Sequence, residues 1–134
     1  MKLLLDTHLL IWVLTGDVRL PNEAYTMIFH PYNDNYFSVI SVWEVAIKHI
    51  ARPNNITFTG TKFAERCREA GFKPLAINDY YVAALETLHR PEDAPPHKDP
   101  FDRMLIAQAK SEGMFFLTHD RMLPYYQEDC IIFV

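Results

Sequence analysis

The chain begins with an unbroken apolar run. In MKLLLDTHLLIW, the stretch Lys2–Leu5 lacks the alternation of a half-exposed strand and predicts a short strand of a parallel sheet, buried on both faces. Asp6 interrupts the run, and Thr7–Leu14 then predicts a helix ended by Thr15-Gly16-Asp17. Pro21 suits a first helical position and predicts a helix to about His30. Asn33-Asp34-Asn35 signals a turn, and the β-branched and aromatic stretch Tyr36–Ile40 a strand. Ser41-Val42-Trp43-Glu44 has the S-x-x-E spacing of a capping box and predicts a helix to about Ala51, broken by Arg52-Pro53-Asn54-Asn55. Thr61–Ala70 is amphipathic and stops at Gly71, Lys73–Ile77 reads as a third strand, and Asn78-Asp79 caps a helix through about Leu88. Residues 90–98, RPEDAPPHK, form a proline-rich charged loop. Asp99-Pro100-Phe101-Asp102 opens a helix with Leu105, Ile106 and Ala109 on one face, ended by Gly113. Met114–Leu117 predicts a strand, Thr118-His119-Asp120 a turn, and Cys130–Val134 a final edge strand that needs covering.

Strands alternating with helices predict an α/β fold whose parallel sheet is covered on both faces. In such folds ligands collect beyond the carboxyl ends of the strands, near a switch point. A length of 134 residues fits one domain, 1–134, and the 49% hydrophobic and 22% charged content is that of an ordinary globule. No apolar run approaches the roughly 20 residues of a membrane span, so no membrane association is expected. The amino terminus does not read as a signal peptide, and Cys67 and Cys130 form no C-x-x-C pair, so a cytoplasmic, reducing location is expected and a structural zinc site is not. The net charge of −4, from 13 basic and 17 acidic residues, argues against a broad basic face for nucleic acid. It is compatible with clustered acids neutralised by metal ions.

Four acids share one setting. Asp6, Glu44, Asp102 and Asp120 each lie just beyond a predicted strand or at a predicted helix amino terminus. Each has an ordinary explanation: Asp6 and Asp120 as helix caps, Glu44 in the capping box, Asp102 in a first turn where Asp99 caps and Pro100 follows. Taken together, carboxylates converging at one end of a sheet repel one another. Protons relieve that by raising pKa values, and divalent cations relieve it better. An oxygen-rich set suits Mg²⁺ or Mn²⁺ and points to metal-assisted chemistry on a phosphate ester. His97 and His119 flank these acids, His8 reads as a helix-face residue, and Trp12 and Trp43 are expected to fill the core. Lys48 follows Glu44 by four residues and suits pairing with it. No glycine-rich phosphate loop and no G-x-S-x-G elbow is present.

The stretches LLLDTHLLIW (3–12), SVWEVAIK (41–48), DPFDRMLIAQA (99–109) and FLTHD (116–120) resemble the PIN-domain family, and within it the VapC-like toxins, in the family's order and over essentially the whole chain. The resemblance implies a three-layer α/β/α fold with a central parallel sheet. It implies a metal-dependent endoribonuclease using Mg²⁺ or Mn²⁺, with Asp6, Glu44, Asp102 and Asp120 as catalytic, metal-binding acids and with Thr118 and Asp99 in support. RNA would be hydrolysed by metal-activated water, leaving a 5′-phosphate and a 3′-hydroxyl. The toxin branch further implies an antitoxin protein partner and a homodimer. Lys48, Arg52, Lys98 and Arg103 are the local basic residues available to RNA.

Two other readings compete. A PIN fold can be a protein-binding module without activity; the presence of all four acids speaks against it. An aspartate-based phosphatase or phosphoacceptor domain would want a second Asp two residues after Asp6, or a late Lys after a strand. Asp6-Thr7-His8 and the strand ends offer neither.

Overall fold

The leucine run lies at the centre of the sheet. In the computed structural model, which describes residues 1–134, the strands are β1 (Lys2–Leu5), β2 (Asp34–Ser38), β3 (Lys73–Leu75), β4 (Phe115–Thr118) and β5 (Ile131–Phe133). They are ordered β3-β2-β1-β4-β5 and every neighbouring pair is parallel. Parallel neighbours need crossovers, and helices supply them: α1 (Thr7–Thr15), α2 (Asn22–Ile28), α3 (Val39–Ala51), α4 (Gly60–Glu69), α5 (Tyr80–Glu86) and α6 (Pro100–Glu112).

The alternation of side chains along the strands feeds two cores. Leu3, Leu5, Phe37 and Leu117 pack with Leu9 and Leu10 of α1, Ile28 of α2, and Phe63 and Cys67 of α4. Leu4 and Phe116 point the other way, onto Leu105, Ile106 and Ala109 of α6. Both faces of β1 are therefore buried, which explains why its sequence is continuously apolar. The result is a three-layer α/β/α fold. The chain lays β2 and β3 on one side of β1, then crosses to place β4 and β5 on the other. The order thus switches between β1 and β4, and a crevice beyond their carboxyl ends is the natural ligand position.

Several expectations need correction. Asp34, read as part of a turn, opens β2, because its N–H donates to the Met1 carbonyl at 2.8 Å at the start of β1. That strand ends at Ser38 rather than Ile40. The Ser38 hydroxyl accepts from the Ile40 N–H at 2.9 Å and caps α3. Ser41-x-x-Glu44 is therefore not a capping box: both residues lie within the helix and face inward, 0% and 2% exposed. Pro21 is the extended residue before α2, not its first helical one. Trp43 does not fill the core, being 56% exposed with its ring edge-to-face on Phe101, whereas Trp12 is partly buried against the core. A 3₁₀ turn, Leu123–Tyr126, follows β4 and was not anticipated. No helix is long and apolar enough to cross a membrane.

Candidate functional site

The acids follow directly from these strand and helix ends. At the end of β1 the Asp6 N–H still donates to the Leu117 carbonyl of β4, at 3.0 Å, so the sheet itself fixes the residue. Its Oδ1 accepts from the Thr7 N–H at 2.7 Å, capping α1, and its Oδ2 accepts from the Thr118 hydroxyl at 2.6 Å. Burial pushes the Asp6 pKa up to about 6; Thr118 and His8 pull against this, and the Glu44 charge reinforces it.

Glu44 reaches the same region from the second turn of α3. Thr7 Oγ1 lies 2.8 Å from Glu44 Oε1 and 2.8 Å from Ser41 Oγ. The Lys48 ammonium donates to Oε2 at 2.5 Å. Burial works against the Lys48 charge, but Glu44, Asp99 and Asp102 together hold its pKa above the usual value. Thr7 thus ties Asp6 to Glu44, its N–H to one carboxylate and its hydroxyl to the other.

Asp102 enters from the first turn of α6. Asp99 Oδ1 accepts from the N–H groups of Phe101 (2.8 Å) and Asp102 (3.2 Å), and Pro100 takes the first helical position, as the sequence predicts. Burial, with the added charges of Asp6, Asp99, Glu44 and Asp120, pushes the Asp102 carboxyl up to about 8. Asp120 follows β4: its N–H donates to Thr118 Oγ1 at 3.0 Å and its Oδ1 accepts from the Met122 N–H at 2.9 Å. The Thr118 hydroxyl therefore joins two acids, donating to Asp6 and accepting from the Asp120 backbone.

Sequence reasoning undervalued His97. Its Nε2 lies 3.1 Å from Asp102 Oδ2, its Nδ1 lies 2.7 Å from the Tyr126 hydroxyl, and its side chain is 8% exposed. Burial, with the nearby Arg90 charge, lowers its pKa. One ligand atom each from His97, Asp102 and Asp120 falls within 4.8 Å of the others. Arg90 stacks its guanidinium over Tyr126, 5.3 Å from the ring centre. The 90–98 loop is thereby anchored at both ends on the 3₁₀ turn. Thr7, Ser41 and Tyr126 were also missed; nothing in their spacing announces contacts across 29 to 37 residues.

Asp6 and Asp120 open onto a cavity of about 250 Å³ shared with His8, Trp12 and His119. Lys98 and Arg103 line a neighbouring apolar cavity of about 240 Å³ with Trp43 and Phe101. Arg52 is not brought to the acids. It caps the far end of α3, eight residues and about 12 Å along the helix from Glu44. A larger cavity, about 660 Å³, lies between α3 and α4 against Val42, Trp43, Ala46 and Ile50, and none of the four acids lines it.

A family model described as PIN domain matches residues 3–128. The chain belongs to the PIN-domain family. No curated protein sequence matches it. Among solved structures its fold resembles VapBC2 from Rickettsia felis, bound to a DNA fragment from the promoter, with TM-score 0.68, 12% identity, and 100% of this chain and 98% of that one covered. FitAcB from Neisseria gonorrhoeae gives TM-score 0.63 at 19% identity, covering 97% and 96% of the two chains. VapBC-1 from nontypeable Haemophilus influenzae gives 0.60 at 16%, covering 95% and 91%. At such identities these neighbours establish the fold.

Proposed function

We propose that this PIN domain is a divalent-metal-dependent endoribonuclease of the VapC-like toxin type, with Asp6, Glu44, Asp102 and Asp120 as its working acids. One observation carries the reading. Asp102 and Asp120 each bring a carboxylate oxygen within 4.8 Å of the other and of a His97 nitrogen, Thr118 bridges Asp6 to the Asp120 backbone, and burial with the charges of Asp6, Asp99, Glu44 and Asp120 raises the Asp102 pKa to about 8. Lys48 compensates Glu44, and the remaining acids relieve their mutual repulsion by holding protons that a cation would replace.

The residues fit a small divalent cation. The donors are mainly carboxylate oxygens, the class that favours Mg²⁺ or Mn²⁺ over zinc. Asp6, Glu44, Asp102 and Asp120 would hold it, Asp6 and Glu44 each already accepting hydrogen bonds on both oxygens. When bound, such a cation acidifies a water and offsets charge on the phosphate as it is attacked. The chain's own groups do the positioning. Thr118 keeps one Asp6 oxygen fixed and holds the Asp120 backbone, and Thr7 locks the Asp6–Glu44 spacing. Asp120 has one oxygen free of the Met122 N–H with which to orient a water. Lys98 and Arg103, which adjoin Asp99 and Asp102 in the chain and line the cavity with Trp43 and Phe101, would meet substrate phosphate, and Asp99 acts first as the cap of α6.

Solved neighbours of this fold include a toxin–antitoxin complex from Klebsiella pneumoniae, with TM-score 0.58 and 17% identity. In keeping with that, Val39, Trp43, Ile47 and Ile50 of α3 are exposed, 41% to 81%, an apolar surface suited to a protein partner such as an antitoxin or a second copy.

The test is incubation of RNA with the purified chain in Mn²⁺, in EDTA, and as Asp6→Asn. Cleavage in Mn²⁺ leaving 5′-phosphate ends, abolished by EDTA and reduced at least about a hundredfold by Asp6→Asn, is expected. Intact RNA in Mn²⁺ would point to the binding module without activity. Ends bearing 2′,3′-cyclic phosphate would mean attack by the RNA's own 2′-hydroxyl and would overturn the hydrolytic reading.

A further inference from the structure

We propose that Tyr126 and His97 form a positioning relay that holds one oxygen of Asp102 and leaves the other for the cation; this rests on the metal-dependent reading above. The Tyr126 side chain is 1% exposed, and its hydroxyl has one hydrogen-bond partner, His97 Nδ1 at 2.7 Å. A buried hydroxyl proton has to be donated, and Nδ1 is the acceptor on offer. That choice sets the tautomer: Nδ1 carries the lone pair and Nε2 carries the hydrogen. Nε2 lies 3.1 Å from Asp102 Oδ2, so His97 donates to the carboxylate once a cation has displaced the Asp102 proton. One oxygen of Asp102 is thereby fixed, while Oδ1 has no hydrogen-bond partner in the protein.

His97 thus acts through Asp102 rather than touching the cation. Groups that orient metal-binding side chains in this manner typically change affinity by about 10–100-fold when removed. The arrangement joins three separate parts of the fold: the proline-rich loop, the first turn of α6, and the 3₁₀ turn after β4. It gives the 90–98 loop a specific task in the site.

The experiment measures Mn²⁺ affinity by calorimetry and Mn²⁺ coordination by pulsed electron paramagnetic resonance, on the full chain and its variants. Tyr126→Phe and His97→Ala are each expected to weaken Mn²⁺ binding about tenfold or more. The double variant should be no weaker than His97→Ala alone, because the two residues act in series. His97→Gln, whose amide can still donate to Asp102, should recover part of the loss, which a merely structural role of the ring would not allow. The resonance spectrum should contain no nitrogen coupling from His97. Nitrogen coupling that disappears in His97→Gln would make His97 a ligand and overturn the relay, as would unchanged affinity in Tyr126→Phe. Absence of Mn²⁺ binding in the unaltered chain would instead remove the metal-dependent reading itself, and the relay with it.

Discussion

At the residue scale, Asp6 and Asp102 hold their protons more tightly than ordinary carboxylates, with pKa values of about 6 and about 8. The sign of the consequence is fixed by linkage. An acid whose folded pKa is raised binds more protons folded than unfolded, so its stabilisation is complete below the unfolded pKa of about 4. It is lost as pH rises, through about 6 for Asp6 and through about 8 for Asp102. His97, whose pKa is lowered, acts in the opposite sense and has finished titrating once pH passes its ordinary value near 6.5. Between pH 6.5 and 8.5 in EDTA the melting temperature of the chain should therefore fall by several degrees, at roughly 3 °C per kcal/mol for a domain of this size. Differential scanning calorimetry checks this. Asp102→Asn should flatten the slope, and an equal slope in that variant would show that Asp102 does not carry the proton.

At the scale of elements, α6 isolates the role of Asp99. Its carboxylate is engaged with the Phe101 and Asp102 N–H groups. Asp99→Asn keeps that acceptor and removes the charge, whereas Asp99→Ala removes both. If Asp99 serves chiefly as a cap, thermal unfolding should show Asp99→Ala destabilised by about 1 kcal/mol and Asp99→Asn nearly unchanged. Comparable activity loss in both variants despite intact stability in Asp99→Asn would make the charge, and not the cap, the working feature.

The elements also show what was legible in the sequence. β1, the Asp99-Pro100 opening of α6 and its glycine stop at Gly113 follow local rules, and the structure keeps them. Helix α3 does not follow its local pattern. It buries Ser41 and Glu44 beside Ile40 and Val45 on its core face, while Trp43, Ile47 and Ile50 stand exposed on the other, so two polar residues sit within the inward apolar stripe. The S-x-x-E spacing suggested a cap because Glu44 lies three residues after a serine; the real cap, Ser38, stands one turn earlier. The buried acid instead pairs with Thr7 and Lys48, a tertiary arrangement that no window of sequence contains. The same holds for His97 and Tyr126, 29 residues apart. The sequence places the acids at strand and helix ends, and only the folded sheet reveals the hydroxyls and the imidazole that hold them.

At the scale of the whole molecule, the strand order explains why acids from four places meet. The order reverses between β1 and β4, so the chains leaving those strands diverge and open a crevice at their carboxyl ends. Asp6 and Asp120 stand on either side of it, Asp102 descends from α6, and Glu44 leans in from α3. Thr118 and Thr7 stitch the set together at 2.6–3.0 Å. Carboxylates held this close without a cation favour protonation. With one, they would form an oxygen-rich seat, and on the proposed reading the net charge of −4 would no longer argue against an RNA substrate. The most direct measurement of this central claim is an anomalous difference map from a crystal of the chain soaked in Mn²⁺. A peak within bonding distance of Asp6, Asp102 and Asp120 oxygens is the expected result. An empty crevice at saturating Mn²⁺, with those carboxylates keeping only their protein partners, would contradict the account.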